Sequence, residues 1–411
     1  MTITIILRIA LVLIVLGAID LYAFQVVKTI WKNEWIPKLL YWSISGGILA
    51  LLVVVILTFD RKKGMDALFF WFTGLFILFW VPKLVAIGFL LVEDVARVLG
   101  GLWQLLPKGE NTDGFLPSRR AFVSKAALIT AAVPFAGILH GIFKGRYNYR
   151  VLRHTLYFPD LPAAFDGLTI TQISDFHTGS FTNPDKVKAG LELIKAQQSD
   201  LLVFTGDMVN NRSSELDEWM DIYGKFEAPL GAYSIFGNHD YGDYTSWSSE
   251  EAKHQNLKTL ADREGQMGFD LLRNEHRVIE RNGEKLYLAG VENWGQGFHQ
   301  YGKLEKALQG VPKEAFTVLL SHDPTHYDAK VKRHPHKVHL TMSGHTHGMQ
   351  FGIEIPGVVK WSPVKWRYPK WAGLYQEAGR FLHVNRGFGY LAFPGRVGMW
   401  PEITKLTLRR E

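Results

Sequence analysis

The sequence predicts an all-α apolar region of about four membrane-spanning helices, residues 1–143, followed by a layered α/β domain, residues 144–411. Three observations carry that expectation. Apolar runs long enough to cross a bilayer crowd the first segment. The second carries regularly spaced charges and turn residues around five short β-rich runs, each ending in Asp, Asn or His. All 15 histidines lie at His140 or later, so any histidine chemistry belongs to the second segment.

A chain of 411 residues exceeds one ordinary domain, and its mean hydropathy near zero averages two unlike halves. The net charge of +7 fits an anionic membrane surface. No basic stripe lies beyond the membrane-proximal segments, so nucleic acid is not an expected partner; the lipid bilayer is. With no cysteine, disulfides and thiolate metal sites are excluded.

A spanning helix needs roughly 20 mostly apolar residues. Four runs qualify, at about 3–18, 39–59, 67–92 and 121–143. Arg8 interrupts the first and Asp20 closes it. Three further spans and no clear cleavage site argue against a removed signal peptide. Lys83 beside Pro82 is costly in lipid unless it faces the bundle interior. Between spans three and four, Val95, Leu99, Leu102, Trp103 and Leu106 recur at helical spacing, which predicts a separate helix lying at the interface from Glu93 to Leu106.

Positive charge is nearly balanced between the two sets of loops, so it does not orient the bundle. Ser118-Arg119-Arg120 before an apolar run resembles a twin-arginine export signal and points to an extracytoplasmic catalytic half. Lys144, Arg146, Arg150 and Arg153 pull towards the cytoplasm.

In the second half, Leu168–Ser174 leads into Asp175-Phe176-His177 and Leu201–Thr205 into Gly206-Asp207. Ala232–Phe236 leads into Gly237-Asn238-His239-Asp240, Phe316–Ser321 into His322, and Val338–Ser343 into Gly344-His345-Thr346-His347. Helical segments at 184–198 and 214–226 separate several of these runs. In α/β folds, side chains delivered at strand carboxyl ends converge on one crevice.

Asp, His and Asn together suit Mn²⁺, Fe or Zn²⁺. Residues i and i+2 of a strand share a face, so Asp175 and His177 are expected to grip one ion from one strand end. The same spacing lets His345 and His347 serve one ion each. Gly206, Gly237 and Gly344 are expected to turn the backbone sharply beside these ligands.

The ordered set Asp175-x-His177, Gly206-Asp207-x-x-Asn210, Gly237-Asn238-His239-Asp240, His322 and Gly344-His345-x-His347 resembles the calcineurin-like metallophosphoesterases over about 169–411. The resemblance implies a four-layer α-β-β-α sandwich and two divalent metal ions, Mn²⁺ first, with Fe or Zn²⁺ as alternatives. Asp175, His177, Asp207 and His347 would hold the first ion, with Asp207 bridging; Asn238, His322 and His345 would complete the second. His239 would be the catalytic acid and, with Asn238, would bind substrate, while a hydroxide held between the ions attacks phosphorus.

Two positions depart from the common pattern. Asn210 stands where many members carry an Asp that orients and charges the catalytic His. An amide supports an imidazolium less than a carboxylate does, which weakens the case for a phosphomonoester substrate. Met349 replaces a frequent Gly after Gly348. The anchor, the Leu-Ser-His322-Asp-Pro block and the ending Asn385-Arg386-Gly387 … Arg396 … Pro401-Glu402-Ile403 look most like a bacterial membrane-associated branch. That branch implies hydrolysis of a phosphodiester or pyrophosphate bond, plausibly in a lipid-linked substrate such as a nucleotide-diacylglucosamine. The rivals are a tethered general phosphomonoesterase or protein phosphatase, and a non-catalytic sensor of phosphorylated ligands.

Three features stand apart. The aromatic-basic stretch 360–371 suits either a lid at a lipid boundary or a packed hairpin. His326, His334, His336 and His339 near His322 suit loop positions better than a third metal. Asp240, Tyr241, Asp243 and Tyr244 suit the pocket wall and a turn equally.

Overall fold

The computed structural model describes residues 3–60, 64–104, 117–355 and 357–411. It divides into two compact units, the first of residues 1–59 and 65–140, the second of residues 60–64 and 141–411.

The first unit contains α1 (Ile3–Ile30), α2 (Ile36–Thr58), α3 (Ala67–Gln104) and most of α4 (Pro117–Phe143). Each helix is long and apolar enough to cross a membrane. Their outward faces are rich in exposed Leu, Ile and Val, such as Ile14, Leu57, Ile129 and Val133. This is the reverse of a water-soluble bundle and matches a lipid surround.

Two expectations change here. Asp20 does not close the first span, because α1 continues to Ile30 and buries Asp20 completely. Glu93 to Gln104 form no separate helix but continue α3, and residues 105 and 106 lie outside the described residues. At 1.5 Å per residue α3 is about 57 Å long, well beyond a hydrocarbon core of roughly 30 Å. One end of it therefore lies in the headgroup region or beyond, where charges are cheap. There Arg120 bridges Glu93 and Asp94 at 2.9 Å each, and the Tyr22 hydroxyl donates to Asp94 at 2.6 Å.

Deep in the bundle, the Lys83 ammonium donates to Asp20 Oδ1 at 2.5 Å and to Ser45 Oγ at 2.8 Å. The Trp80 ring lies 3.8 Å from the same ammonium. The Tyr41 hydroxyl bonds the Asp20 carbonyl at 2.8 Å. One charge from α1 and one from α3 thus neutralise each other where neither is affordable alone.

The second unit is built on two six-stranded sheets. Its strands are β1 (Arg150–Phe158), β2 (Thr169–Ile173), β3 (Leu201–Phe204), β4 (Ala232–Ser234), β5 (Asp270–Leu271), β6 (Glu275–Arg281) and β7 (Glu284–Gly290). They continue as β8 (Thr317–Leu320), β9 (Leu340–Ser343), β10 (Ile353–Ile355), β11 (Val359–Trp361), β12 (Gly373–Glu377), β13 (Arg380–Val384) and β14 (Glu402–Arg410). The first sheet runs β1-β14-β2-β3-β4-β5, with β2 to β5 parallel. The second runs β12-β13-β9-β8-β7-β6, with β13, β9, β8 and β7 parallel. A separate hairpin pairs β10 with β11.

Strand alternation sorts the cores. Leu201 and Val203 of β3 meet Val318 and Leu320 of β8 and Leu340 and Met342 of β9 between the sheets. Leu202 and Phe204 face outwards onto α5 (Pro184–Lys195), α6 (Met220–Tyr223) and α7 (Glu250–Gln266). Leu319 faces the other way, onto α8 (Leu304–Ala307) and α9 (Thr325–Ala329). The result is helix, sheet, sheet, helix. Strands buried on both faces need continuous apolar runs, which is what Leu201–Phe204 and Thr317–Leu320 provide. Helix α5 starts cleanly, with Asn183 capping Lys186 N–H at 3.0 Å and Pro184 in the first turn. The helix expected at 214–226 is shorter, a 3₁₀ turn at Ser213–Leu216 followed by α6.

Breaking the intramembrane pair from one side leaves a buried charge. Lys83→Met should cost about 3–5 kcal/mol of bundle stability. The double variant Asp20→Asn/Lys83→Met should recover most of that loss in a detergent unfolding titration.

Candidate metal centre

The ligand-bearing loops follow the strand ends from both sheets. β2, β3 and β4 of the first sheet deliver Asp175, Asp207 and Asn238; β8 and β9 of the second deliver His322, His345 and His347. Two groups of metal-ligating atoms result, Asp175 with His177 and His347, and Asp207 with His322 and His345; within each, the ligand atoms lie within 4.8 Å of one another. Asp207 Oδ2 links the groups, 3.1 Å from His322 Nε2 and 3.6 Å from His177 Nε2. Asn238 Oδ1 joins the second group, 3.1 Å from His322 Nε2 and 2.8 Å from His345 Nδ1.

The route by which these side chains converge differs from strand alternation. β2 stops at Ile173 and β9 at Ser343, so Asp175, His177, His345 and His347 are loop residues. Asp175, His177, Asp207, His345 and His347 all adopt left-handed backbone, with φ of 53°, 48°, 61°, 74° and 51°. Each such residue costs of order 1–3 kcal/mol and persists only because the surroundings compel it. Of the three glycines expected to turn the chain, only Gly206 has positive φ. The other two serve close approach. A Cβ at Gly237 would lie 2.2 Å from Asp207 Oδ1, and one at Gly344 would lie 2.0 Å from Ser174 Oγ.

Buried polar groups hold the strained loops. Asp240 is the organiser of one turn: its carboxylate accepts from the N–H groups of Asp207, Gly237 and Met208, each at 2.8 Å. It is therefore a turn residue and not pocket wall. Tyr244 does reach the site, its hydroxyl accepting from Asn238 Nδ2 at 2.8 Å. Tyr241 stacks on Tyr301, and Asp243 pairs with Lys253 at 2.5 Å and lines the cavity beside Asn238.

The histidines are pinned in tautomers that aim a free nitrogen inwards. His322 Nδ1 meets the Thr205 carbonyl at 2.7 Å, leaving Nε2 for the cluster. His345 Nε2 meets the Tyr368 hydroxyl at 2.8 Å and lies 3.5 Å from Asp323 Oδ2, leaving Nδ1 inwards. His177 Nε2 and His347 Nε2 face each other at 3.0 Å. Inward lone pairs at this spacing repel unless a proton or a cation separates them, so the donor set fits divalent metal ions.

Protonation shows the same need. Burial opposes a charge on His322, but the Asp207 carboxylate outweighs it and pushes the imidazole up to about 10. Burial raises Asp175 to about 7 and lowers His177 to about 3. Burial also works against Asp207, yet the His322 and His239 rings hold it well below the usual carboxylate range.

His239 is half-buried at the open side of the cluster, its N–H donating to Asp207 Oδ1 at 2.8 Å. The expected partnership with the Asn210 side chain is not found. His239 Nδ1 meets the Asn210 backbone carbonyl at 2.8 Å, while the Asn210 amide turns to Ser180 Oγ at 3.1 Å. Glu215 shapes this loop by accepting from the N–H groups of residues 210, 211 and 212, which points the carbonyl at the imidazole. Beside Asn238 a cavity of about 400 Å³ opens between Tyr244, Asn293, Phe298 and His299.

Sequence reasoning missed Tyr368, Asp323 and Arg396 as neighbours of the site. Each lies in a segment that the sequence marks, Asp323 beside His322, Tyr368 in the aromatic-basic stretch and Arg396 in the ending that resembles the membrane-associated branch, but none of these signals places it at the site. Arg396 is wholly buried, donates to the carbonyls of Gly389, Arg386 and Met399, and lies 3.1 Å from His347 Nδ1. His326, His336 and His339 bond separately to Ser321, Thr317 and Asp160, and none of them joins a metal-ligating group among the described residues.

Residues 168–349 match the family of calcineurin-like phosphoesterases, and residues 3–146 match the calcineurin-like phosphoesterase transmembrane domain with four spans. A metallophosphoesterase of Bacillus subtilis, YkuE, is 32% identical over 62% of this chain and 84% of its own length. The chain belongs to the calcineurin-like phosphoesterases. This metallophosphoesterase is a membrane protein and a hydrolase of phosphoric esters, and its family uses divalent metals. A transmembrane protein with a metallophosphoesterase domain from Danio rerio is 26% identical over 76% of this chain and 68% of its own length. The UDP-2,3-diacylglucosamine pyrophosphatase LpxG of Chlamydia muridarum is 28% identical over 65% of this chain and 92% of its own length.

A metal ion held by His322 Nε2 would have to displace the proton that the Asp207 carboxylate favours there. Calorimetry in buffers of different ionisation enthalpy should show about one proton released per Mn²⁺ at this group, with a smaller share from Asp175. Affinity should rise by about one decade per pH unit from 7 towards 9.

Proposed function

We propose that this phosphoesterase uses two divalent ions, Mn²⁺ first, to hydrolyse a phosphodiester or pyrophosphate bond in a lipid-linked substrate. The observation that carries the reading is the partner of His239, a neutral carbonyl and not a carboxylate. A carbonyl fixes the tautomer and aims Nε2 outwards, and it brings no charge of its own to the imidazole. Of the two bonds, such an acid suits the pyrophosphate, whose phosphate or nucleoside monophosphate leaving group needs little protonation, better than the phosphodiester, whose leaving group is an alkoxide. The four spans and the similarity to LpxG, whose name joins a diacylated sugar to a nucleotide, support the lipid-linked class.

In this reading Asp175, His177 and His347 would hold one ion and His322, His345 and Asn238 the other, with Asp207 within reach of both groups. Bound there, the ions supply Lewis acidity to the phosphoryl oxygens and to a water nucleophile. The residues supply the rest. Asp207 fixes the spacing of the groups, Asn238 and His239 orient the phosphoryl oxygens, and His239 Nε2 delivers the proton to the leaving oxygen.

We also place the catalytic domain on the extracytoplasmic side, on the strength of Ser118-Arg119-Arg120. Two of the residues that pull the other way are committed within the domain. Arg146 packs 5.2 Å from the Tyr390 ring centre, and Arg153 donates to Gln197 at 2.8 Å.

Purified wild-type and Asp207→Ala protein should be compared on a phosphomonoester, a phosphodiester, a phospholipid and a nucleotide-linked lipid pyrophosphate, with Mn²⁺ in detergent. Preference for the lipid-linked bond, lost in the variant, is expected. Broad turnover of soluble esters would favour a general phosphomonoesterase, and no turnover a sensor. His239→Gln should lower kcat about 10²–10⁴-fold on an alkyl ester and much less on a nitrophenyl ester. Sidedness is read by adding one cysteine, Val278→Cys, to the cysteine-free chain. A membrane-impermeant maleimide should label it in intact cells, whereas labelling only after lysis would place the domain in the cytoplasm.

A further inference from the structure

Hairpin β10–β11 follows shortly after His347 and is built inside out for a water-facing element. Ile353 pairs with Trp361 and Ile355 with Val359, so these four side chains share one face. Glu354 pairs with Lys360 on the other. The charged face turns towards the domain, where Glu354 and Lys360 find partners while keeping contact with solvent. Glu354 accepts two hydrogen bonds from Arg386, at 2.8 and 2.7 Å. Lys360 donates to the Ala372 carbonyl and lies 5.1 Å from the Trp371 ring centre. The apolar face is the outer one, with Ile353, Ile355 and Val359 exposed. Val358 at the tip is 79% exposed and Trp366 beyond it 76%. A sheet with one wet face puts its apolar side chains inwards and its charges outwards, and this hairpin does the reverse.

The patch is local. Among the described residues of the catalytic unit, the exposed large apolar side chains gather between Met349 and Trp366, and elsewhere occur singly, as at Tyr157, Leu193 and Val278. Its rim is of the kind found at headgroup level: Trp361 and Trp366 lie edge to face at 6.0 Å, with Lys365 exposed beside them. Other aromatic residues of the 360–371 stretch are packed away, since Tyr368 and Trp371 are buried with Val364 and Met399.

The chain itself says which apolar phase is at hand. The last turn of the fourth span, from Gly141, belongs to the catalytic unit, and its Phe143 is exposed. The Gly141 carbonyl accepts from Arg396 N–H at 3.2 Å. The next residue, Val397, bonds Gln350 at 2.7 Å and Gly352 at 2.9 Å, at the root of the hairpin. The hairpin is therefore laced to the segment that receives the last turn of the fourth span.

We propose that hairpin β10–β11, with Trp366, inserts its apolar face into the surface of the lipid bilayer and holds the mouth of the metal centre at the headgroup level. A lipid-linked phosphoester then reaches His345 and His347 without leaving the membrane. That consequence rests on the function proposed above; the insertion does not, and it is tested without turnover.

The test uses full-length protein in phosphatidylglycerol-containing vesicles, with a nitroxide on one introduced cysteine. Val358→Cys and Trp366→Cys report on the patch, Val54→Cys in α2 on lipid, and Val278→Cys on water. At 358 and 366 the label should be relaxed more by oxygen than by a water-soluble nickel chelate, as at 54 and opposite to 278. Preferential relaxation by nickel would overturn insertion. Protection from both reagents would also overturn it, because a protein surface, such as a second copy, would then cover the patch. Failure of the substrate panel with a lipid-like signal at 358 would reject the substrate and leave the insertion standing.

Discussion

The Asp207 carboxylate lies between histidines that arrive from opposite sheets. One oxygen faces His177 and His322, and the other holds the backbone of His239. Its own backbone is left-handed, and its N–H is gripped by Asp240. Every feature of the metal centre is a condition on that placement. β3 must stop at Phe204, Gly206 must turn, Gly237 must lack a side chain, and the two sheets must stack so that the loop after β8 brings His322 within 3.1 Å. A one-residue slip between the sheets would separate the groups and leave buried charges unpaired.

The cost of holding such loops is met by burial and by backbone hydrogen bonds from Asp240, Glu215 and Arg396. None of these is among the metal-ligating atoms. Arg396 is the most exacting of the three. Burial lowers its guanidinium to about 9, yet it is retained because it answers several otherwise unpaired carbonyls at once. It also ties the metal loop at His347 to the segment that receives the last turn of α4.

The bundle solves a related problem in lipid. Asp20 and Lys83 would each be prohibitive alone, and together with Ser45, Tyr41 and Trp80 they make a neutral, directional link between three helices. In a phase where apolar contact gives little preference for one helix pairing over another, such a link selects a single arrangement. The catalytic unit uses a different device at β10–β11, where Glu354 and Lys360 reach back to partners in the domain and the apolar groups of the opposite face are left exposed.

The sequence by itself determined the four spans, the α/β character of the second half and which Asp, Asn and His residues follow its strands as candidate metal ligands. Those signals are local: run length, strand alternation, and Asp, Asn or His after each strand. Tertiary structure alone decided the rest. The left-handed loops, the burial of Asp20 against Lys83, the carbonyl in place of the Asn210 amide beside His239, and the reach of Tyr368 and Arg396 all depend on residues far apart in sequence. The inverted hairpin was half legible, since its aromatic and basic residues show in the sequence. Which of them face outwards was fixed by β10–β11 register and by the Glu354–Arg386 pair, and pairing between distant segments leaves no periodic trace in either one.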